Sequence, residues 1–308
     1  MGLGVLGGGM NRGIYPVLQM PLDNHDAIDP EILAKEIDWL IELDVSGVVI
    51  AMVSEVMRFS SHERREQWQL VISLVANRVP VTVSVGAEST AVAAQLAGQA
   101  EGDGASALMV TPPAIFPATS DEIYSYYRAI VEATSLPVIV QDASNYMGQP
   151  LSLDLYEQLL SEFGTDRIQF KPEAKPVKDR VAHIQKFTKG AARIFEGQSG
   201  MDLLDTHPLG LTGTMPGSEI VWAITALWKA LENNQMVRAH EIHKAIAQLI
   251  TFQSTIDTYV AVEKFLLVKQ GIFTSTRQRG PVSSILSAET KLRIEEAFDA
   301  LRATVYKI

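Results

Sequence analysis

Apolar residues along the chain fall into two alternating patterns. Short unbroken apolar runs bounded by turn residues read as strands covered on both faces. They are expected at 14–20, 45–51, 80–85, 105–110, 137–140, 168–171, 193–195 and 209–214. Between them, apolar residues recur three and four apart, which is the period of an amphipathic helix. Asp29 before Pro30 caps the first of these helices, with Ile32, Leu33, Ile37, Leu40 and Ile41 on one face. Ser60 or Ser61 with Glu63 opens the second. Helices follow at 89–101, 120–133, 152–163 and 175–187, with a short one after Gly200 and another capped by Ser218 and running to about 231.

Eight such units close naturally into a (β/α)8 TIM barrel. An open doubly wound sheet is the alternative, and no glycine-rich phosphate fingerprint follows the first strand to support it. Beyond Asn233-Asn234 the strand pattern stops, and 235–250, 254–270 and 288–305 read as helices around a polar loop at 271–281. The expected organisation is a leader over 1–12, a catalytic barrel over 13–232 and a C-terminal three-helix extension over 233–308. The extension is expected to help build a subunit interface in a homo-oligomer, a dimer or tetramer.

Composition narrows the class. With 47% hydrophobic and 20% charged residues, 308 residues can build one large core. The net charge of −10, without a basic stripe, argues against nucleic acid and anionic membrane as partners. The absence of cysteine excludes disulfides, thiol nucleophiles and cysteine-ligated metals. The glycine-rich start lacks the basic and apolar regions of a signal peptide, and no apolar run reaches roughly 18 residues, so the cytoplasm is the expected location.

Chemistry in such barrels lies at the C-terminal ends of the strands. One lysine stands directly at a strand end, in Ile168-Gln169-Phe170-Lys171-Pro172-Glu173. Side chains alternate along a strand, so Lys171 and Glu173 project to the same side if the chain stays extended. An amine in a partly dry pocket can form a Schiff base with a ketone, and a nearby carboxylate can move protons. The same spacing also suits a surface ion pair beside a turn. No His or carboxylate cluster has metal-ligand spacing, so neither a metal nor a cofactor is expected.

Other residues sharpen this reading: Val110-Thr111-Pro112 at the fourth strand, Leu136-Pro137 before the fifth, Glu196-Gly197 at the seventh and Leu209-Gly210 before the eighth. With Phe170-Lys171 and the helical tail, they resemble the dihydrodipicolinate synthase and N-acetylneuraminate lyase superfamily of Schiff-base barrels. The resemblance spans roughly residue 13 to the C-terminus. It departs from the superfamily in the second-strand loop, where Ala51-Met52-Val53-Ser54-Glu55 replaces the usual Gly-Thr-Thr-Gly-Glu. Gln141 stands in place of the catalytic tyrosine, Pro113 and Ala114 replace the fourth-strand tyrosines of the synthases, and Pro172 separates the lysine from its acid.

Lys-Pro-Glu without that tyrosine resembles the sugar-acid dehydratase branch, in particular the 2-keto-3-deoxy-L-arabonate dehydratases. This resemblance implies a small-molecule 2-keto acid as substrate, lost as water plus 2,5-dioxopentanoate, with Lys171 forming the iminium and Glu173 moving protons. It implies substrate contacts from Ser54 and Glu55, with the backbone around them, and from Gln141, Gln198 and Ser199. Glu55 and Asp142 are the next candidates for the proton shuttle. A pyruvate-releasing retro-aldolase and a synthase-like protein without synthase activity remain open at this stage.

Overall fold

The computed structural model describes residues 10–115 and 118–307, so most of the expected leader lies outside the described residues. Strands and helices alternate as β1 (Gly13–Ile14), α1 (Pro30–Glu42), β2 (Val48–Ile50), α2 (Ser61–Val75), β3 (Val81–Ser84), α3 (Thr90–Gly102), β4 (Ala107–Val110) and α4 (Ser120–Glu132). They continue as β5 (Val138–Asp142), α5 (Leu153–Arg167), β6 (Ile168–Pro172), α6 (Val177–Phe187), β7 (Phe195–Glu196), α7 (Leu203–Thr206), β8 (Gly213–Thr214) and α8 (Val221–Glu232). Three more helices complete the chain: α9 (Met236–Ile250), α10 (Ile256–Lys269) and α11 (Ala288–Tyr306). Among the described residues, no helix is long and apolar enough to cross a membrane.

All strand pairs are parallel. Ladders run β2-β3-β4-β5-β6 and β1-β8-β7, and the single bridges Val17–Val49 and Phe170–Ile194 join the two sheets into a ring of eight. The fold is the (β/α)8 barrel with a C-terminal helical extension. The first and last strands are much shorter than their apolar runs suggest. Pro16 and Pro21 carry no N–H to donate, so the first run pairs over two residues and again at Val17. A 3-10 turn, His207–Leu209, closed by left-handed Gly210 (φ 90°), consumes the start of the eighth.

Strand periodicity sorts the core into two layers. Val48, Ile50, Leu108, Val110, Val138, Val140, Ile168 and Phe170 pack outward against the helices. Val49, Ala107, Met109 and Ile139 point inward and meet Tyr15, Val17, Phe195 and Met215 inside the barrel. The same alternation sends Gln141 of β5 and Gln169 and Lys171 of β6 inward.

The helix starts follow the sequence, except at α8. Asp29 accepts from the N–H groups of Glu31 and Ile32, and Ser60 and Glu63 form a reciprocal capping box; such caps stabilise by about 1 kcal/mol each. Ser218 does not cap α8, which begins at Val221 without a side-chain cap. Its hydroxyl donates instead to Glu36 Oε1 at 2.6 Å. The extension is joined to the barrel rather than set apart from it: α9 packs on α8, while α10 lies over the barrel mouth beside the second-strand loop.

Candidate active site

Lys171 is the inward residue at the end of β6 and pairs in register with Gln141 of β5. Both side chains are buried, although each carries polar atoms, so partners must come from neighbouring strand ends. Lys171 Nζ donates to Glu173 Oε1 at 2.8 Å. Gln141 Nε2 donates to the other carboxylate oxygen, Glu173 Oε2, at 2.9 Å. Glu173 therefore holds one oxygen against the amine and the other against a neutral amide. Burial raises the Glu173 carboxyl above its ordinary range, while the Lys171 charge and the two hydrogen bonds pull it back.

The loops around this pair keep it in place. Asn145 Nδ2 donates to the Glu173 carbonyl at 2.6 Å, and Gln198 Nε2 reaches the same oxygen at 3.3 Å. The β7 loop turns tightly around Glu196, whose carboxylate accepts from the N–H groups of Gln198 and Gly200 and from the Thr214 hydroxyl. That turn brings Gly197 against the amine. A Cβ at Gly197 would lie 2.7 Å from Lys171 Cε and 2.8 Å from Glu173 Oε1, so only glycine leaves room for the pair.

The resulting cleft is narrow, with a cavity volume of about 40 Å³. On one side the 3-10 turn Met52–Ser54 opens toward it. The N–H groups of Met52 and Val53 have no acceptor among the described residues, so they are free to bind an anion. Ser199, left-handed at φ 51°, lines the cleft with Gly197 and Met215. Tyr146, from the loop after β5, and Tyr259, from α10, share a hydroxyl–hydroxyl contact of 3.3 Å on the far wall beside Glu263.

The structure thus brings Lys171, Glu173, Gln141 and Ser199 together at the cleft. It turns four other expected residues away from it. Ser54 is fully buried, accepting from Ala51 N–H and donating to Leu18 O at 2.6 Å, so its hydroxyl shapes the turn. Glu55, left-handed at φ 59°, points toward the extension and accepts from Lys264 Nζ at 2.5 Å and Arg279 N–H at 2.7 Å. Gln198 acts on the Glu173 backbone rather than at the cleft surface. Asp142, outward on β5, accepts from Leu151 N–H and Tyr156 OH and sits 3.6 Å from Arg180.

Sequence reading missed Tyr146, Tyr259 and Glu263 as cleft residues. The available signal was a pair of charges, Glu263-Lys264, inside the otherwise apolar stretch of α10. Helix periodicity gives the buried face of α10 but not the neighbour that the face meets.

A family model described as the dihydrodipicolinate synthetase family matches residues 10–301. The chain belongs to this family. It is an enzyme in a group of Schiff-base lyases. An L-2-keto-3-deoxyarabonate dehydratase from Azospirillum brasilense is 25% identical over 280 residues, covering 89% of this chain and 90% of that one. A 4-hydroxy-tetrahydrodipicolinate synthase from Methanococcoides burtonii is 27% identical over 246 residues, covering 78% and 82%. The solved 4-hydroxy-tetrahydrodipicolinate synthase from Methylacidiphilum fumariolicum superposes with a TM-score of 0.87 at 21% identity, over 96% of this chain and 97% of that one.

Proposed function

We propose that this family member dehydrates a 2-keto-3-deoxy sugar acid, with 2-keto-3-deoxy-L-arabonate as the best-supported substrate. The observation that carries the reading is the buried Lys171–Glu173–Gln141 chain. An amide occupies the β5 strand end and a carboxylate touches the amine directly. An amide cannot titrate, so Glu173 is the acid–base group within reach of Lys171. The likeness to the Azospirillum dehydratase over nine-tenths of both proteins supports the substrate class.

The amine of Lys171 adds to the C2 ketone and expels water, giving an iminium that acidifies the C3 protons. Glu173 removes a C3 proton, and the resulting enamine expels the C4 hydroxyl as water. The conjugated iminium then loses a C5 proton to give a dienamine that is also an enol; protonation at C4 with loss of the C5 hydroxyl proton forms the aldehyde, and protonation at C3 regenerates the iminium. Hydrolysis frees 2,5-dioxopentanoate and restores Lys171. The Met52 and Val53 N–H groups, which have no acceptor among the described residues, take the substrate carboxylate in this reading, and Ser199 meets a hydroxyl. No step draws on a redox cofactor, because the aldehyde carbon is oxidised as C4 is reduced.

A panel of 2-keto-3-deoxy acids, with products read by mass, tests this function. An aldehyde acid that keeps every carbon is expected, whereas free pyruvate would identify a retro-aldolase and overturn the proposal.

A further inference from the structure

A second group of buried carboxyls approaches the cleft from the side opposite the β5–β6 pair. Glu263 of α10 lines the cleft and is 1% exposed. Gln19 Nε2 donates to its Oε2 at 2.5 Å. Glu219, just before α8, is fully buried; its Oε1 accepts from Gln253 Nε2 at 3.2 Å, and its Oε2 has no partner. The two side chains converge at Gly217, itself a cleft residue. A Cβ there would lie 2.4 Å from Glu219 Oε2 and 2.6 Å from Glu263 Oε1. The unpartnered Glu219 oxygen is thus aimed at the cleft wall.

Among the described residues, no cation pairs with either carboxyl. Glu36 of α1 is the next charged group; its Oε1 accepts from Ser218 and the Gln19 N–H, and its Oε2 has no partner among the described residues. Lys264, next to Glu263 on α10, turns to Glu55 and the Arg277 carbonyl instead. Tyr259 on the same helix is neutral, with its hydroxyl pushed up to about 12 by burial. Lys171 is the only cation among the described residues lining the cleft, and Glu173 already pairs with it. Two buried carboxylates this close cannot both ionise without cost. Burial raises both, and the Glu219 charge raises Glu263 further.

We propose that Glu263 and Glu219 share one proton across Gly217. They thereby form a hydrogen-bonding wall that selects an uncharged, hydroxylated tail on the 2-keto acid and rejects a second carboxylate. The inference rests on the reading of the cleft as a 2-keto acid site. It deepens that reading by naming the residues that meet the far end of the substrate. A hydroxyl can donate to the ionised oxygen or accept from the protonated one, while a tail carboxylate would bring a second negative charge into an unpaired acidic wall.

Two unreactive probes with the same carbon count separate these tails. 5-Hydroxy-2-ketopentanoate has the alcohol but no C4 hydroxyl to eliminate, and 2-ketoglutarate has the carboxylate; pyruvate has no tail. Calorimetric titration of the full-length protein at neutral pH is expected to give at least tenfold tighter binding of the hydroxy acid than of 2-ketoglutarate. Glu263→Leu is expected to lower hydroxy-acid affinity roughly tenfold, the worth of a hydrogen bond to a buried group, and to bring it to the level of pyruvate. Wild-type affinity for the hydroxy acid is expected to fall as pH rises and the shared proton is lost. Glu263→Gln, which stays neutral, is expected to bind it with a flat pH profile.

Equal wild-type binding of the two tails overturns the proposal. So does an alkaline loss that persists in Glu263→Gln, parallel loss of all three probes in a folded Glu263→Leu protein, or no binding of the hydroxy acid at all. Borohydride labelling of Lys171, measured separately, reports on the Schiff base. Tail selectivity without labelling would overturn the reaction and leave this inference standing.

Discussion

Lys171 is a buried amine whose surroundings were built by three strand ends, and each neighbour has its own expected effect. Lys171→Ala should abolish both turnover and borohydride trapping of pyruvate, with the melting profile retained, because a strand-end side chain carries little of the packing. Peptide mass mapping checks this by locating the label in the wild type. Glu173→Gln keeps the size and a hydrogen-bonding amide but removes the ionisable group. General acid–base catalysis typically contributes roughly 100- to 10,000-fold, so kcat should fall on that order while imine trapping persists. A near-normal kcat would move the proton shuttle elsewhere. Gly197→Ala is the steric counterpart. Its methyl would press on Lys171 Cε and Glu173 Oε1, so imine formation itself should slow, which single-turnover trapping would detect.

At the scale of elements, α10 completes the cleft, and the Lys264–Glu55 pair ties it to the second-strand loop. Both side chains are fully buried. Removing one partner of such a pair leaves an uncompensated charge and typically costs roughly 3–5 kcal/mol. Lys264→Met should lower stability on that order in denaturant titrations, and it should raise KM more than it lowers kcat, because the wall that meets the substrate tail loosens. Adding Glu55→Gln to that variant should recover most of the loss; if the double variant is as unstable as the single, the pair does not act as a unit. The element boundaries show what the sequence could and could not reveal. The strands β2 to β6 and their helices were legible because apolar runs and capping residues such as Asp29 and Ser60 act locally. The ends of β1 and β8 were not, since Pro16 and the turn at Gly210 override the apolar pattern. Lys171 was legible as a charge closing an apolar run. Glu55 was misplaced because its partner Lys264 lies on α10, some two hundred residues later in the chain, and Ser54 because its hydroxyl turns back to Leu18 O.

Over the whole molecule, the fold brings acidic groups from distant segments together beneath the barrel mouth. Glu36 of α1 is fully buried, with its carboxyl pushed up to about 8 by burial. A folded value above the unfolded one means the group favours folding most at low pH. That contribution is lost as pH rises from about 4.5 through about 8. The protein should therefore lose stability across this window, and Glu36→Gln should flatten the profile; an equally steep decline in the variant would assign the loss to other groups. The acidic wall and the lone amine divide the cleft into a reacting end and a recognising end, which suits a ligand with one carboxylate, one ketone and a hydroxylated tail.

The most direct single measurement is borohydride reduction during turnover of 2-keto-3-deoxy-L-arabonate, followed by peptide mass analysis. Dehydration through an imine at Lys171 predicts a reduced adduct on the Lys171 peptide that is one water lighter than the adduct of the intact substrate. A label on any other lysine, a pyruvate adduct from this substrate, or full turnover with no adduct would contradict it.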